Sequence, residues 1–159
     1  LPWVSKPYWK DGWFGRGKVQ LTHEFNYKGP ARDAVLQEFG VDIHKDRDAT
    51  LKPEIAAFIL VRGSLEGWFT GKKLADYIDD LDEEDALEVL EFIGARRVIN
   101  GQDRAKEIAE IALGFEDAIE VRAAPIPTST VGGDKPIIRK KSWLQAIIDF
   151  FLNLLPKGN

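Results

Sequence analysis

The chain of 159 residues contains no cysteine, which removes disulfides, thiolate metal sites and a cysteine nucleophile together and leaves the redox compartment open. Basic residues are not in excess, since 22 Lys and Arg stand against 26 Asp and Glu for a net charge of −4. Nucleic-acid affinity rests on phosphate neutralisation by Lys and Arg, so no nucleic-acid partner is expected. No apolar run reaches the roughly 18–20 residues that cross a bilayer, and Leu1-Pro2-Trp3 lacks the charged start of a signal peptide. A start without methionine reads as a processed product or an internal fragment. The histidines are only two, His23 and His44, and neither has the neighbours that zinc spacing requires. Surface or helix-end roles are expected for both, with no metal and no cofactor. What is present is 44% hydrophobic and 30% charged residues, enough for one domain of ordinary size with a short appendage.

Patterning predicts a mainly α chain. The stretch to Asp11 holds two prolines and no periodicity, and is expected to be irregular. Residues 30–39 read as a helix with Pro30 in its first turn and Gly40 just past its end, burying Ala34, Val35 and Phe39. A second helix is expected over 52–66, capped by Thr50, with Ile55, Ala56, Ile59, Leu60 and Gly63 inward. Trp68-Phe69-Thr70-Gly71 reads as a turn, and a short helix is expected over 72–78. Residues 79–91 carry eight acids with a thin apolar stripe of Leu81, Ala86, Leu87 and Leu90, the pattern of a solvated helix. The run lacks the glycine of a calcium loop. The longest helical pattern covers 101–120, with Ile108, Ala112, Phe115 and Ile119 as its core stripe.

Residues 123–136 hold three prolines and two glycines and read as a linker, so the globular domain is expected over 1–122. A basic-flanked amphipathic helix is expected within 137–159, opened by the capping-box pattern Ser142-Trp143-Leu144-Gln145. Residues 143–155 would reach only about 20 Å against a hydrocarbon core of roughly 30 Å. The segment therefore suits a membrane surface, the domain itself or another copy, and cannot span a bilayer alone.

The stretch richest in chemistry is Phe14-Gly15-Arg16-Gly17-Lys18-Val19-Gln20-Leu21-Thr22-His23-Glu24-Phe25-Asn26-Tyr27. Two glycines around an arginine permit a sharp turn and close backbone approach to a ligand. Gln20, Thr22 and Asn26 supply neutral donors and acceptors of the kind that bind sugar hydroxyls and orient a water. Gly15-x-Gly17 is not a dinucleotide fingerprint, because the third glycine and a preceding strand are missing.

Gly15-Arg16-Gly17-x-Val19-Gln20-Leu21-Thr22 followed by Asn26-Tyr27 resembles the cleft motif of glycoside hydrolase family 19 chitinases and the related phage and bacterial endolysins. Three further stretches resemble the phage-type branch in the same order: Val41-Asp42-Ile43 with Pro53-Glu54-Ile55-Ala56-Ala57, then Gly67-Trp68-Phe69-Thr70-Gly71-Lys72-Lys73-Leu74, then Ala95-Arg96-Arg97-Val98-Ile99-Asn100-Gly101-x-Asp103-Arg104-Ala105. The resemblance covers residues 13–120. It implies a lysozyme-like, two-lobed α-helical domain that cleaves β-1,4 links between N-acetylated amino sugars in peptidoglycan or chitin, from a phage or bacterial source and acting at the cell wall. By the same resemblance Gln20 and Thr22 position the attacking water, and Asn26 contacts the N-acetyl group. Arg16, Phe25, Tyr27, Asn100 and Arg104 take substrate-side places, with Arg16 also expected to brace the turn against an acid. The family's general acid lies in a segment upstream of the Gly-Arg-Gly turn that does not precede Gly15 here, so a truncated form is expected. Inversion needs an acid and a base carboxyl about 6.5–9.5 Å apart, and Glu24 is the candidate within the motif, with Asp11 behind it. Two other readings compete: a glycan-binding or membrane-associated accessory protein that does not cleave, and an anchor built on residues 143–155.

Overall fold

A computed structural model describes residues 2–79 and 85–123. Of the linker expected over 123–136, Ala123 still belongs to a helix, and the rest of it lies outside the described residues together with the C-terminal segment 137–159 and Leu81. The described chain is mainly helical, and its one β interaction is an isolated antiparallel bridge between Arg16 and Leu21. It divides into two compact units: residues up to Asp76 with Arg97–Asn100, and Tyr77–Arg96 with the chain from Gly101 onward.

The first unit begins with short helical turns where irregular chain was expected. Pro2–Ser5 is a 3-10 turn and α1 spans Pro7–Lys10, whose entry is eased by Pro7 at a position needing no amide donor. Helix α2 spans Glu24–Lys28 and α3 spans Pro30–Phe39. The limits of α3 follow from Pro30 in its first turn and from Gly40, whose φ of 68° closes the helix through its amide on the Leu36 carbonyl. Val35 is fully buried and Ala31 nearly so, while Ala34 and Phe39 are half-buried.

Helix α4, Pro53–Glu66, is the central element of this unit and buries Ile55, Ala56, Phe58, Ile59, Gly63 and Ser64. Its N-cap is Lys52 rather than Thr50. Thr50 is instead inside a 3-10 turn, Arg47–Leu51, where its hydroxyl donates to the Arg47 carbonyl at 2.7 Å. The local side-chain bond competes successfully with capping. Gly63 lies directly under the Phe69 ring, so the 67–71 turn folds back on α4 where no side chain intervenes. The Phe39 ring meets Phe58 edge-on at 5.2 Å, extending the core from α3 into α4. Tyr27, Ile43 and Val98 are fully buried as well. Thr70 holds the Arg97–Asn100 stretch on this unit, its hydroxyl lying 2.8 Å and 3.0 Å from the carbonyls of Arg97 and Val98.

Residues 72–78 form only a 3-10 turn, Leu74–Asp76. The Asp76 carboxylate accepts from the Lys73 amide at 2.9 Å, which fixes a local turn in place of a helix.

The second unit is built on α5, Asp85–Ala95, and α6, Ala105–Ala123, which pack on each other. The core side of α6 differs from the expected stripe. Ala105 and Ala109 are buried, whereas Ile108 and Phe115 are 38% and 66% exposed. Small alanines let the helix axes approach closely, and a side chain the size of Phe115 on that face would force them apart. Leu87 and Leu90 on α5 are likewise exposed. Among the described residues, no helix is long and apolar enough to cross a membrane.

Candidate functional site

The 15–27 motif forms a tight loop followed by α2. Arg16 and Leu21 exchange backbone hydrogen bonds of 2.8 Å and 3.1 Å, and the four residues between them turn through two left-handed positions, Gly17 at φ 69° and Gln20 at φ 54°. Glycine takes that conformation freely, but Gln20 holds it at a cost of about 1 kcal/mol or more. His23, at φ 69°, makes a third such position immediately before α2, the helix-end place expected for a lone histidine.

Two residues of the motif act from below. Arg16 is only 7% exposed. Its guanidinium donates to Asp48 at 2.8 Å and to the carbonyls of Gly12 and Phe14 at 2.9 Å and 3.2 Å, and lies 3.9 Å from the centre of the Phe14 ring. The brace expected of Arg16 therefore ends on Asp48. With these donors committed and the side chain covered, Arg16 shapes the loop from within, at the base of a groove beside it. Tyr27 is fully buried and donates to the Leu21 carbonyl at 2.9 Å. It is a post under the bridge, not a sugar contact.

The residues facing outward are Gln20, Thr22, Phe25 and Asn26. A Cβ on Gly15 would lie 2.8 Å from Gln20 Oε1 and 3.2 Å from Thr22 Oγ1, so the glycine is what allows the carboxamide and the hydroxyl to converge on one point. Each has already spent a donor on the backbone. Gln20 Nε2 donates to the Gly17 carbonyl at 3.1 Å, and Thr22 Oγ1 donates to the Gln20 carbonyl at 2.6 Å. What they present outward is acceptor lone pairs, suited to receive both hydrogens of one water or a pair of sugar hydroxyls, with the second N–H of Gln20 beside them. Asn26 donates to the Thr22 carbonyl at 2.6 Å, which leaves its amide oxygen and a second N–H for a ligand. Phe25 is 67% exposed and stacks on His23 with ring centres 5.6 Å apart.

A groove of about 320 Å³ runs beside this loop, with Gly15, Arg16, Gly17, Lys18 and Gln20 on one side and Leu51, Pro53 and Ala56 on the other. The loop side is polar and basic, with Lys18 and Arg16 beside the Gln20 amide; the other is apolar, from Leu51 and the start of α4. Ligand sites commonly pair an apolar face with a few fixed polar groups in this way.

Glu24 opens α2 and is tied to Lys28 at 2.8 Å and to His44 Nε2 at 3.2 Å. The hydrogen bonds from Lys28 and then His44 hold its carboxyl below the ordinary carboxylate range. A carboxyl so held is ionised at neutral pH and has no proton to give a leaving group. His44 also stacks on Trp13 at 5.3 Å, a ring that further meets Tyr27 at 5.4 Å and the Arg47 guanidinium at 4.4 Å from its centre. Asp11 is exposed, and its carbonyl accepts from Arg47.

Asn100 ends the stretch that Thr70 holds on the first unit, is exposed, and has no hydrogen bond to the motif among the described residues. Arg104 belongs to the second unit, where it stands at φ 52° before α6 and pairs with Glu107. The structure thus places Gly15, Gln20 and Thr22 in one loop with Asn26 on the helix that follows, Asn100 at the end of the stretch held by Thr70, and Arg104 in the second unit. Asp48, Leu51 and Ala56 were not expected at the site. Asp48 is 32 residues from Arg16, and nothing in its spacing distinguishes it from the other acids nearby. Among the described residues no group of three or more His, Cys, Asp or Glu is placed to hold a metal ion. Comparison of the chain with protein-family models, curated proteins and solved structures finds no match.

Proposed function

We propose that the loop of Gly15, Gln20, Thr22 and Asn26 is the water-positioning and sugar-binding side of a lysozyme-like, two-lobed glycan hydrolase acting on β-1,4-linked N-acetylated amino sugars in peptidoglycan or chitin. The observation that carries this reading is the convergence of Gln20 Oε1 and Thr22 Oγ1 over Gly15 at the edge of the groove. Two acceptor oxygens so placed would take both hydrogens of a water and aim its lone pair outward. That is the orientation attack on an anomeric carbon needs in an inverting mechanism. The apolar wall of Leu51, Pro53 and Ala56 suits the face of a pyranose ring or an acetyl methyl group.

A second reading, glycan binding without cleavage, is favoured by the state of Glu24. The acid inside the motif is ionised and held by Lys28 and His44, so it supplies a negative charge and no proton.

Release of new reducing ends from purified peptidoglycan and from chitin oligomers separates the two. Hydrolysis predicts turnover that falls at least about 100-fold in Gln20→Ala or Thr22→Ala with the melting temperature little changed, the size of effect seen when a positioning group is lost. Saccharide binding with no new reducing ends at any protein concentration supports the second reading. Equal loss of melting temperature and activity in these variants would show that the pair merely holds the loop.

A further inference from the structure

Helix α6 has a surplus of apolar surface on the wrong side for its own partner. Ala105 and Ala109 are buried, while Ile108, Ile111 and Phe115, at spacings of three and four residues, form a separate stripe that is 38%, 54% and 66% exposed. Scattered apolar residues on a surface are ordinary, but a stripe of large ones along two turns of a helix marks a binding face.

The sequence that follows α6 fits this face in three respects. First, residues 143–155 carry an apolar set including Ile147, Ile148, Phe151 and Leu154, with Gln145, Asp149 and Asn153 as the only polar stripe. Second, the charges are opposite. Residues 77–96 and 101–123 hold 14 acidic against 4 basic side chains, and residues 124–159 hold 5 basic against 2 acidic. Third, the reach suffices. The 19 residues of 124–142 can extend about 60 Å, and α6, also of 19 residues, is about 28 Å long.

We propose that residues 143–155 of this chain dock as a helix on the Ile108, Ile111 and Phe115 stripe of the same molecule. The charge pattern selects this occupant over the two others of similar chemistry. An anionic lipid surface attracts the basic flank but repels the acidic unit tethered to it, and two α6 stripes from separate copies would bring like charges together.

Hydrogen exchange of the full chain, followed by mass spectrometry in dilute, lipid-free buffer, tests the proposal. The amides of 143–155 are expected to exchange at least tenfold more slowly than free chain, and the double variant Ile111→Gln/Phe115→Gln is expected to abolish that protection while the circular dichroism of the remainder persists. Fast exchange in the parent chain overturns the proposal. So does protection that vanishes on dilution, which would assign the face to a second copy, or protection that appears only with vesicles of phosphatidylglycerol. Should the double variant fail to fold, Ile111→Cys/Ile148→Cys gives an independent reading, since the chain has no other cysteine. A short bis-maleimide is expected to close it within one molecule, and cross-linked dimers or no cross-link would contradict the docking.

Discussion

Gly15 and Gly17 are two residues apart and do different things. Gly17 has φ 69°, and a Cβ there would meet the Thr50 carbonyl at 2.7 Å, a backbone atom that cannot step aside. Gly17→Ala is expected to cost at least about 2 kcal/mol of stability, read from urea unfolding. At Gly15 the nearest obstacle is the end of the flexible Gln20 side chain. Gly15→Ala is therefore expected to leave the unfolding midpoint nearly in place while displacing the carboxamide and weakening saccharide binding. A large loss of stability in Gly15→Ala would mean that the glycine serves the fold and not the site. Sequence alone marks both glycines as turn-formers. It does not separate them, because the difference lies in Thr50 and Gln20, which approach them only in the folded chain.

At the scale of elements, helix limits were legible where local chemistry sets them. Pro30 with Gly40 and Pro53 with Gly67 bracket α3 and α4 as the residue types demand. Faces were less legible, since a periodic pattern shows that large apolar residues share a side without showing which side meets a partner. In α6 Ala105 and Ala109 are buried while Ile108, Ile111 and Phe115 are exposed. The corner after α3 depends on one ion pair: Asp42 takes a two-pronged bond from Arg32 at 2.8 Å and 2.9 Å and another from the His44 amide at 3.0 Å. The Arg32 bonds first, then the His44 amide, hold its carboxyl well below the usual carboxylate range. A carboxyl lowered in the folded state contributes stability above its unfolded value of about 4, and loses it as the pH falls toward the folded value. Below about pH 4 the parent chain is expected to lose stability on acidification more steeply than Asp42→Asn, as urea midpoints across pH 2–7 would show. Parallel acid limbs would remove Asp42 from the acid response.

For the whole molecule, the contrast is between a first unit that carries a polar loop beside an apolar groove and a second that carries most of the acidic charge. Gly15, Gln20 and Thr22 fall in one loop, with Asn26 on the helix that follows, because they are close along the chain. The groove's far wall comes from 51–56, which no local pattern links to residue 20. The central claim is that this groove receives an N-acetylated glycan. The most direct measurement is an amide NMR titration of the intact chain with a chitin tetrasaccharide and with a soluble peptidoglycan fragment. The account predicts shifts concentrated at Gly15, Gln20 and Thr22 and at Leu51 and Ala56 across the groove, with affinity falling about tenfold, or 1.4 kcal/mol, in Gln20→Ala. No shifts at millimolar saccharide, or shifts that Gln20→Ala leaves untouched, would contradict it.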